Sequence, residues 1–437
     1  MTIIRDHDVG HAAAVTASAT PSKRTNAVIG TTIGNVLEWV DFASYAFFAT
    51  IIASHFFPAG DDFLALMSTF AVFGVGFVAR PLGALFFGRF GDKRGRKLAL
   101  LISMPLMGIG TLFVGATPSY DSIGILAPIM LILGRVMQGF AAGGEVGNAI
   151  AFLLEWAPAK RRALYSGLQQ CTSLLGTLIG SGTAALLTTI MTTEDLHSWG
   201  WRIPFLVGGL LVAPLGLYLR RHIDESPTFE RAPDPSFVTD TRSQWMQGAK
   251  SLALSAGWVV SFYIYLIYLM TFVTKYSGIS SQTALWANTA GLASMMISIP
   301  IFGLISDKVG RKPPLFVGLL LSLVLAYPVF SLLLGGISIA QLFAIFIGMG
   351  ALTGIFAGIM PATMSEMFPT KLRTTGVSVS FGLATAIFGG FAPFIATSLI
   401  NVTGSPLSPT YYLVVASAVS LLTLVTSVRE TAHSRLD

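Results

Sequence analysis

Two carboxylates and two guanidinium groups stand inside runs of sequence that are otherwise apolar. Glu38 and Asp41 lie in "GNVLEWVDFASYAF" (34–47), Arg80 in the next hydrophobic run, and Arg135 and Glu145 in the fourth. An ionisable side chain at mid-bilayer costs about 2.5–3.5 kcal/mol even on the lenient insertion scale, so each requires a partner or a wet cavity. Glu38, Asp41 and Tyr45 follow i, i+3, i+7 and share one helix face. Arg135, Gln138 and Ala142 form a comparable stripe, among small residues (Gly139, Ala141, Gly143, Gly144, Gly147) that let another helix approach closely. Proton exchange is the chemistry such a set offers, because two nearby carboxylates disfavour double ionisation and one of them then holds a proton more readily. The spacing does not rank Glu38, Asp41 and Glu145 for that role. The alternative is a static ion pair for the first two, and a structural hydrogen bond for Glu145.

Arg80 precedes Asp92 by 12 residues, which places it about 18 Å up a helix and near the middle of a core about 30 Å thick. No acid of its own span lies near it, and a planar guanidinium suits a bidentate grip on a carboxylate, so an anionic ligand is expected there. A bond to Glu38 or Asp41 is the alternative. Weaker cavity-lining candidates are Tyr45 and Gln138 beside the charges, Gln169, Gln170 and Asn288, and Tyr265 and Tyr268 in "WVVSFYIYLIYLM" (258–270), where Trp258, Phe262 and Tyr265 form one helical stripe. Packing is the alternative for each. The second half of the chain carries no mid-span charge, so the ion chemistry is expected in the first half, with the second supplying shape.

The elements that must hold these residues are membrane helices. Hydrophobic residues make up 53% of the 437 and charged ones 11%, about half the charge of a soluble domain, and the mean hydropathy is +0.71. Apolar runs of bilayer-spanning length recur twelve times, over about 27–54, 63–90, 98–118, 125–156, 163–191, 203–221, 247–275, 282–306, 313–335, 338–366, 374–400 and 409–428. With the N-terminus inside, 23 of the 27 Lys and Arg fall on the inner side, which puts both termini in the cytoplasm and explains the net charge of +6 without nucleic acid. The polar tail over 1–26 lacks a signal-peptide core. Cys171 is the single cysteine and excludes an internal disulfide. The six histidines lie in tails or loops, away from where a haem, copper or di-iron membrane enzyme would need ligands, and no loop is long enough for a catalytic domain. Neither an enzyme, a metal site nor a resident cofactor is expected.

The chain repeats itself once. "GRFGDKRGRK" (88–97) matches "GLISDKVGRK" (303–312) at an offset of 215, and Glu155, Pro158 and Arg162 match Glu366, Pro369 and Arg373 at an offset of 211. The expected layout is all-α and integral to the membrane, with twelve transmembrane helices in two pseudo-symmetric six-helix bundles. A tail over 1–26, a bundle over 27–221, a linker over 222–246, a bundle over 247–428 and a tail over 429–437 make up the chain.

These paired loops and "GRVMQG" (134–139) resemble the signatures of the major facilitator superfamily. "EWVDF", "ARPLG" (79–83), "GGEVG" (143–147) and "WGWRIPF" (199–205) resemble its metabolite:proton symporter branch, and "ATAIFGGFAPFIATSLI" (384–400) looks most like the citrate and tricarballylate carriers, although Trp39 stands where those carriers are expected to have Gln. The resemblance implies a proton-coupled importer of a small organic acid, a di- or tricarboxylate, working by alternating access in a bacterial inner membrane, with lipid and protons as its other partners and a monomer as its form. It implies that Asp41 pairs with Arg135, as in the sugar carriers, and that Arg80 meets substrate carboxylate, as in the 2-oxoglutarate carrier. It also implies a cytoplasmic latch built from Gly88, Asp92, Gly95, Arg96, Glu155, Arg162, Asp307, Arg311, Glu366 and Arg373. Sodium at the carboxylate pair, uptake of proline or betaine, and drug export are the alternatives.

Overall fold

The computed structural model describes residues 35–57, 61–94, 96–143, 161–221, 241–368 and 373–432, and the regular structure among them is entirely helical. The chain runs through α1 (Asn35–Phe47), α2 (Ala49–Phe56), α3 (Asp62–Arg94), α4 (Arg96–Ala116), α5 (Leu126–Ala142), α6 (Arg162–Ile190) and α7 (Gly200–Tyr218). It continues through α8 (Trp245–Tyr276), α9 (Ser281–Val309), α10 (Lys312–Leu334), α11 (Ile339–Glu366), α12 (Val379–Thr403) and α13 (Pro409–Thr426). Among the described residues nine helices are long and apolar enough to cross a bilayer, and the bent pair α1–α2 makes a tenth. The apolar parts of α4 and α5 are shorter and fall at the third and fourth expected spans; the rest of the fourth, 144–156, lies outside the described residues.

Two local departures from the expected pattern matter. The first span is not one rod: α1 and α2 meet at 70°. No proline or glycine sits there; Phe48 takes φ −96°, ψ 15° with its ring buried, so tertiary packing of an aromatic run holds the bend. In α8 the residues Tyr263–Tyr268 wind as a π-helix, which shifts the register of everything beyond it. Two more π segments, Gly208–Val212 in α7 and Thr385–Gly390 in α12, interrupt their helices.

Within each bundle, glycines let two helices touch backbone to backbone. A Cβ on Gly139 of α5 would lie 1.7 Å from the carbonyl oxygen of Gly76 on α3, and a Cβ on Gly350 of α11 would lie 2.0 Å from that of Gly291 on α9. Gly76 and Gly291 are 215 apart and Gly139 and Gly350 are 211 apart, the same offsets that relate the paired loops. The repeat is thus visible as packing. By the same offsets Met295 occupies the place of Arg80 and Phe346 that of Arg135: the Cβ of Gly143 would meet the Arg80 backbone as that of Gly354 meets the Met295 backbone. The two halves share a scaffold and differ in charge.

Gly139→Ala is therefore expected to force α3 and α5 apart, at the cost of about 1–3 kcal/mol typical of overpacking, whereas Gly182→Ala, with open space around its Cβ, should be neutral. Thermal unfolding of the purified variants in detergent checks this, and equal midpoints would refute it.

The halves meet along α6 and α9. Thr189 accepts from Gln282 Nε2 (3.1 Å) and Trp286 Nε1 (3.2 Å) near one end, Ser181 bonds Thr289 (2.8 Å) in the middle, and Leu164 packs against Gly303 at the other end. α3 crosses to α12, where Gly390 abuts Phe77 and Gly74 abuts Phe391. Glu38, Asp41, Arg80 and Arg135, enclosed between these contacts, are all buried.

Candidate functional site

The bent first span presents Glu38 and Asp41 one turn apart, and each finds a different arginine. Glu38 Oε1 lies 2.6 Å from an Arg80 terminal nitrogen, joining α1 to α3. Asp41 Oδ2 lies 2.9 Å from Arg135 Nη1, joining α1 to α5. Arg80 thus answers Glu38 in this conformation, the alternative that the sequence left open, and Asp41 with Arg135 forms the pair that the resemblance implied.

Both guanidiniums sit in aromatic surroundings that screen little. The Arg135 carbon lies 4.2 Å from the Phe42 ring centre and 4.3 Å from that of Tyr45, while the Arg80 carbon lies 4.2 Å from Phe77, 4.7 Å from Phe42 and 5.5 Å from Trp39. Ring faces carry negative quadrupole density and stabilise the cations there. Gln138 accepts from Arg135 Nη1 (2.8 Å) and donates to Thr111 Oγ1 (3.0 Å), which fixes the arginine from its own helix. Tyr45 donates to the Thr69 carbonyl (3.1 Å) and stacks on Phe73. Gln138 and Tyr45 accordingly serve the Arg135 network in this conformation.

The weaker candidates separate. Tyr265 faces α10, its hydroxyl 3.4 Å from the Ser322 carbonyl, and Tyr268 packs edge-on to Phe70. Tyr263, absent from the expected set, is the α8 tyrosine on the wall of the charged cluster: its ring meets Phe77 at 5.6 Å, beside Arg80. The π-helix explains this, because an extra residue in the turn rotates the face that a regular 3.6-residue repeat assigns to Tyr265. Asn288 donates to Ser181 (3.2 Å) in the α6–α9 contact, Gln170 is half-buried on α6, and Gln169 also lies on α6. Glu145 lies outside the described residues.

The second-half loop forms a cluster at the end of α9. Gly310 turns the chain at φ 102°, a conformation that favours glycine. Asp307 accepts from the backbone N–H groups of Ala163 (3.1 Å) and Leu164 (3.2 Å), at the N-terminus of α6 in the other half, and from Arg311 Nη1 (2.7 Å). A carboxylate at that end of a helix is favoured by the helix dipole. Arg311 also forks onto Glu366 through Nε (3.1 Å) and Nη2 (2.9 Å). Arg162 is buried at the start of α6. Of the other expected latch residues, Gly88 and Asp92 lie on α3, Arg96 opens α4, Arg373 opens the helix Arg373–Ala384, and Gly95 and Glu155 lie outside the described residues.

One further acid of this cluster left no signal in the sequence. Glu430, beyond α13, accepts from the backbone N–H groups of Arg311 (2.8 Å) and Lys312 (3.0 Å), while Thr431 donates to Glu366 (2.7 Å) and Lys312 Nζ to the Val428 carbonyl (2.8 Å). An acid between Arg429 and Thr431 in a terminal tail gives no periodic signal. Burial alone would raise the Glu430 carboxyl, but the N–H groups of Arg311, Ala432 and Lys312 outweigh it and hold it below the ordinary carboxylate range. With the folded value depressed, the contact stabilises the fold above the unfolded value of about 4.3 and is lost as pH falls through the lower folded value. Glu430→Gln should lower the unfolding midpoint at neutral pH, with the gap from wild type closing on acidification; a gap of equal size at pH 7 and in strong acid would refute this.

Two bundles on one scaffold, with buried ion pairs inside the first, define a multi-pass membrane transporter. Residues 27–234 match the family profile "Sugar (and other) transporter" and residues 266–436 that of the "Major Facilitator Superfamily". The chain is 34% identical over 404 residues to a citrate-proton symporter of Klebsiella pneumoniae, covering 91% of this chain and 90% of that one. It is 33% identical over 429 residues to a proline/betaine transporter of Escherichia coli (strain K12), covering 95% and 85%. A xylose transporter of E. coli, in a partially occluded inward open conformation, shares the fold at a TM-score of 0.76 and 17% identity, over 95% of this chain and 100% of that one. The chain belongs to the major facilitator superfamily.

Proposed function

We propose that this chain is a proton-coupled symporter that imports a small organic acid by alternating access. The observation that carries the reading is the pair of buried ion pairs, Glu38–Arg80 and Asp41–Arg135, on three helices of one half. A guanidinium that can exchange its carboxylate partner can bind an acidic cargo, and a carboxylate that loses its partner in a dry site takes up a proton. The coupling acid is one of Glu38 and Asp41. Binding and release alternate between the two membrane faces as the latch of Asp307, Arg311 and Glu366 forms and breaks on the cytoplasmic side of a bacterial inner membrane, with both termini on that side.

Similarity to citrate-proton symporters supports an organic acid. The expectation of a di- or tricarboxylate rests on that likeness alone; two guanidiniums, each already facing a carboxylate, do not call for three more. A zwitterion such as proline or betaine is the second reading, favoured by the similarity to a proline/betaine transporter and by a cluster whose charges sum to zero. Uptake into proteoliposomes with an inward proton gradient, using mono-, di- and tricarboxylates against betaine, tests the proposal. Gradient-dependent accumulation of an acid is expected; accumulation of betaine and of no acid would overturn it.

A further inference from the structure

The Arg80 guanidinium is walled by aromatic rings. It lies against Phe77, Phe42 and Trp39, and the ring wall continues from Phe77 to Phe42 (4.8 Å), Phe73 (5.2 Å) and Tyr263 (5.6 Å) across α1, α3 and α8. Along this wall Arg80 Nε, Trp39 Nε1 and the Tyr263 hydroxyl are buried without a hydrogen-bond partner among the described residues. These three donor groups lie along the same wall as the Glu38–Arg80 ion pair. The Glu38 carboxylate is ion-paired, yet both its oxygens are likewise buried without a hydrogen bond among the described residues; unmade bonds are costly, so these donors point to a carboxylate set to meet them better than Glu38 does from α1.

We infer that Glu38 keeps the cargo's place. The cargo carboxylate replaces it at Arg80, Glu38 withdraws as the neutral acid carrying the co-transported proton, and the ring wall selects a single carboxylate borne on a flat apolar ring: an aromatic monocarboxylate. This rests on the organic-acid reading above and narrows it.

Charge balance sets the proton count. Glu38, Asp41, Arg80 and Arg135 sum to zero; a monocarboxylate brings one negative charge, and one proton on Glu38 restores neutrality in the closed site. No bond other than Glu38 O–H forms, and the proton comes from the side of entry. Further carboxylates on the cargo would meet ring faces, whose negative density repels anions. A zwitterion would need no proton on Glu38 and would set its cation beside Arg80.

The test uses the full chain in proteoliposomes with radiolabelled 4-hydroxybenzoate, citrate and glycine betaine, subtracting protein-free vesicles to remove passive entry of the neutral acid. The aromatic acid is expected to accumulate with one proton per molecule, and citrate and betaine are not. Glu38→Gln removes the competitor for Arg80, so it should bind 4-hydroxybenzoate more tightly and independently of pH, exchange it, and no longer concentrate it. Tyr263→Phe should weaken binding up to about tenfold, the loss of one hydrogen bond. Should Glu38→Gln fail to fold, the wild-type panel and proton count decide. Accumulation of citrate without the aromatic acid would overturn this inference and leave the organic-acid reading standing; betaine alone would overturn both. Wild-type pH dependence of binding in Glu38→Gln would overturn the displacement.

Discussion

Arg80→Ala is expected to lower proton-driven uptake about a hundredfold or more. Removing one partner of a buried pair leaves an uncompensated charge and costs about 3–5 kcal/mol, and here the remaining charge is Glu38, shut between α1 and α3. Protonation of Glu38 relieves that cost, so the protein can still fold while the cargo has lost its anchor. Arg80→Lys keeps the charge but not the planar fork that lies along Phe77 and Phe42, and should recover little. Removing both partners in Glu38→Ala/Arg80→Ala separates the two effects, because thermal stability should return towards wild type while uptake stays lost. Initial rates, normalised to folded protein by size-exclusion chromatography, are the measurement; wild-type rates in Arg80→Ala would end the binding assignment.

Asp41→Asn is the second large effect, and it differs in kind. It leaves Arg135 with Gln138 as its polar partner and gives the closed site one positive charge too many. An anionic cargo then supplies the missing negative charge itself, without a proton. Binding and exchange should persist while accumulation falls to the level reached without a pH gradient, a loss of about tenfold in the accumulation ratio for each pH unit of gradient forfeited. Asp41→Glu, which keeps the charge, should restore part of the coupling. Counterflow and net uptake measured side by side distinguish uncoupling from misfolding, and full accumulation in Asp41→Asn would remove Asp41 from the mechanism.

Much of this was legible in residue types. Burying a charge is costly enough that Glu38, Asp41, Arg80 and Arg135 stood out of their apolar runs without any coordinates, and their mutual pairing was among the few arrangements that could offset the cost. Repetition of Gly, Asp and Arg at offsets of 215 and 211 announced two matching bundles, and the same offsets reappear where Gly139 meets Gly76 and Gly350 meets Gly291. Tyr263 was hidden because helical stripes assume 3.6 residues per turn, and one π-helix spoils that arithmetic. Glu430 was hidden because capping another segment's backbone N–H groups asks only for an acid in reach, which leaves no pattern along the chain.

By itself, then, the sequence determined that the chain is a bundle of membrane helices, built twice over, with its mid-span acids and arginines in the first half and in need of one another, because lipid penalises a charge that has neither partner nor water. Only the tertiary structure decided that Arg80 answers Glu38. The two acids stand one turn apart on α1, close enough for either partner, and the choice falls to the glycine contacts that set α3 and α5 against it and to the rings of Phe42, Phe77 and Tyr45 that hold each guanidinium in place.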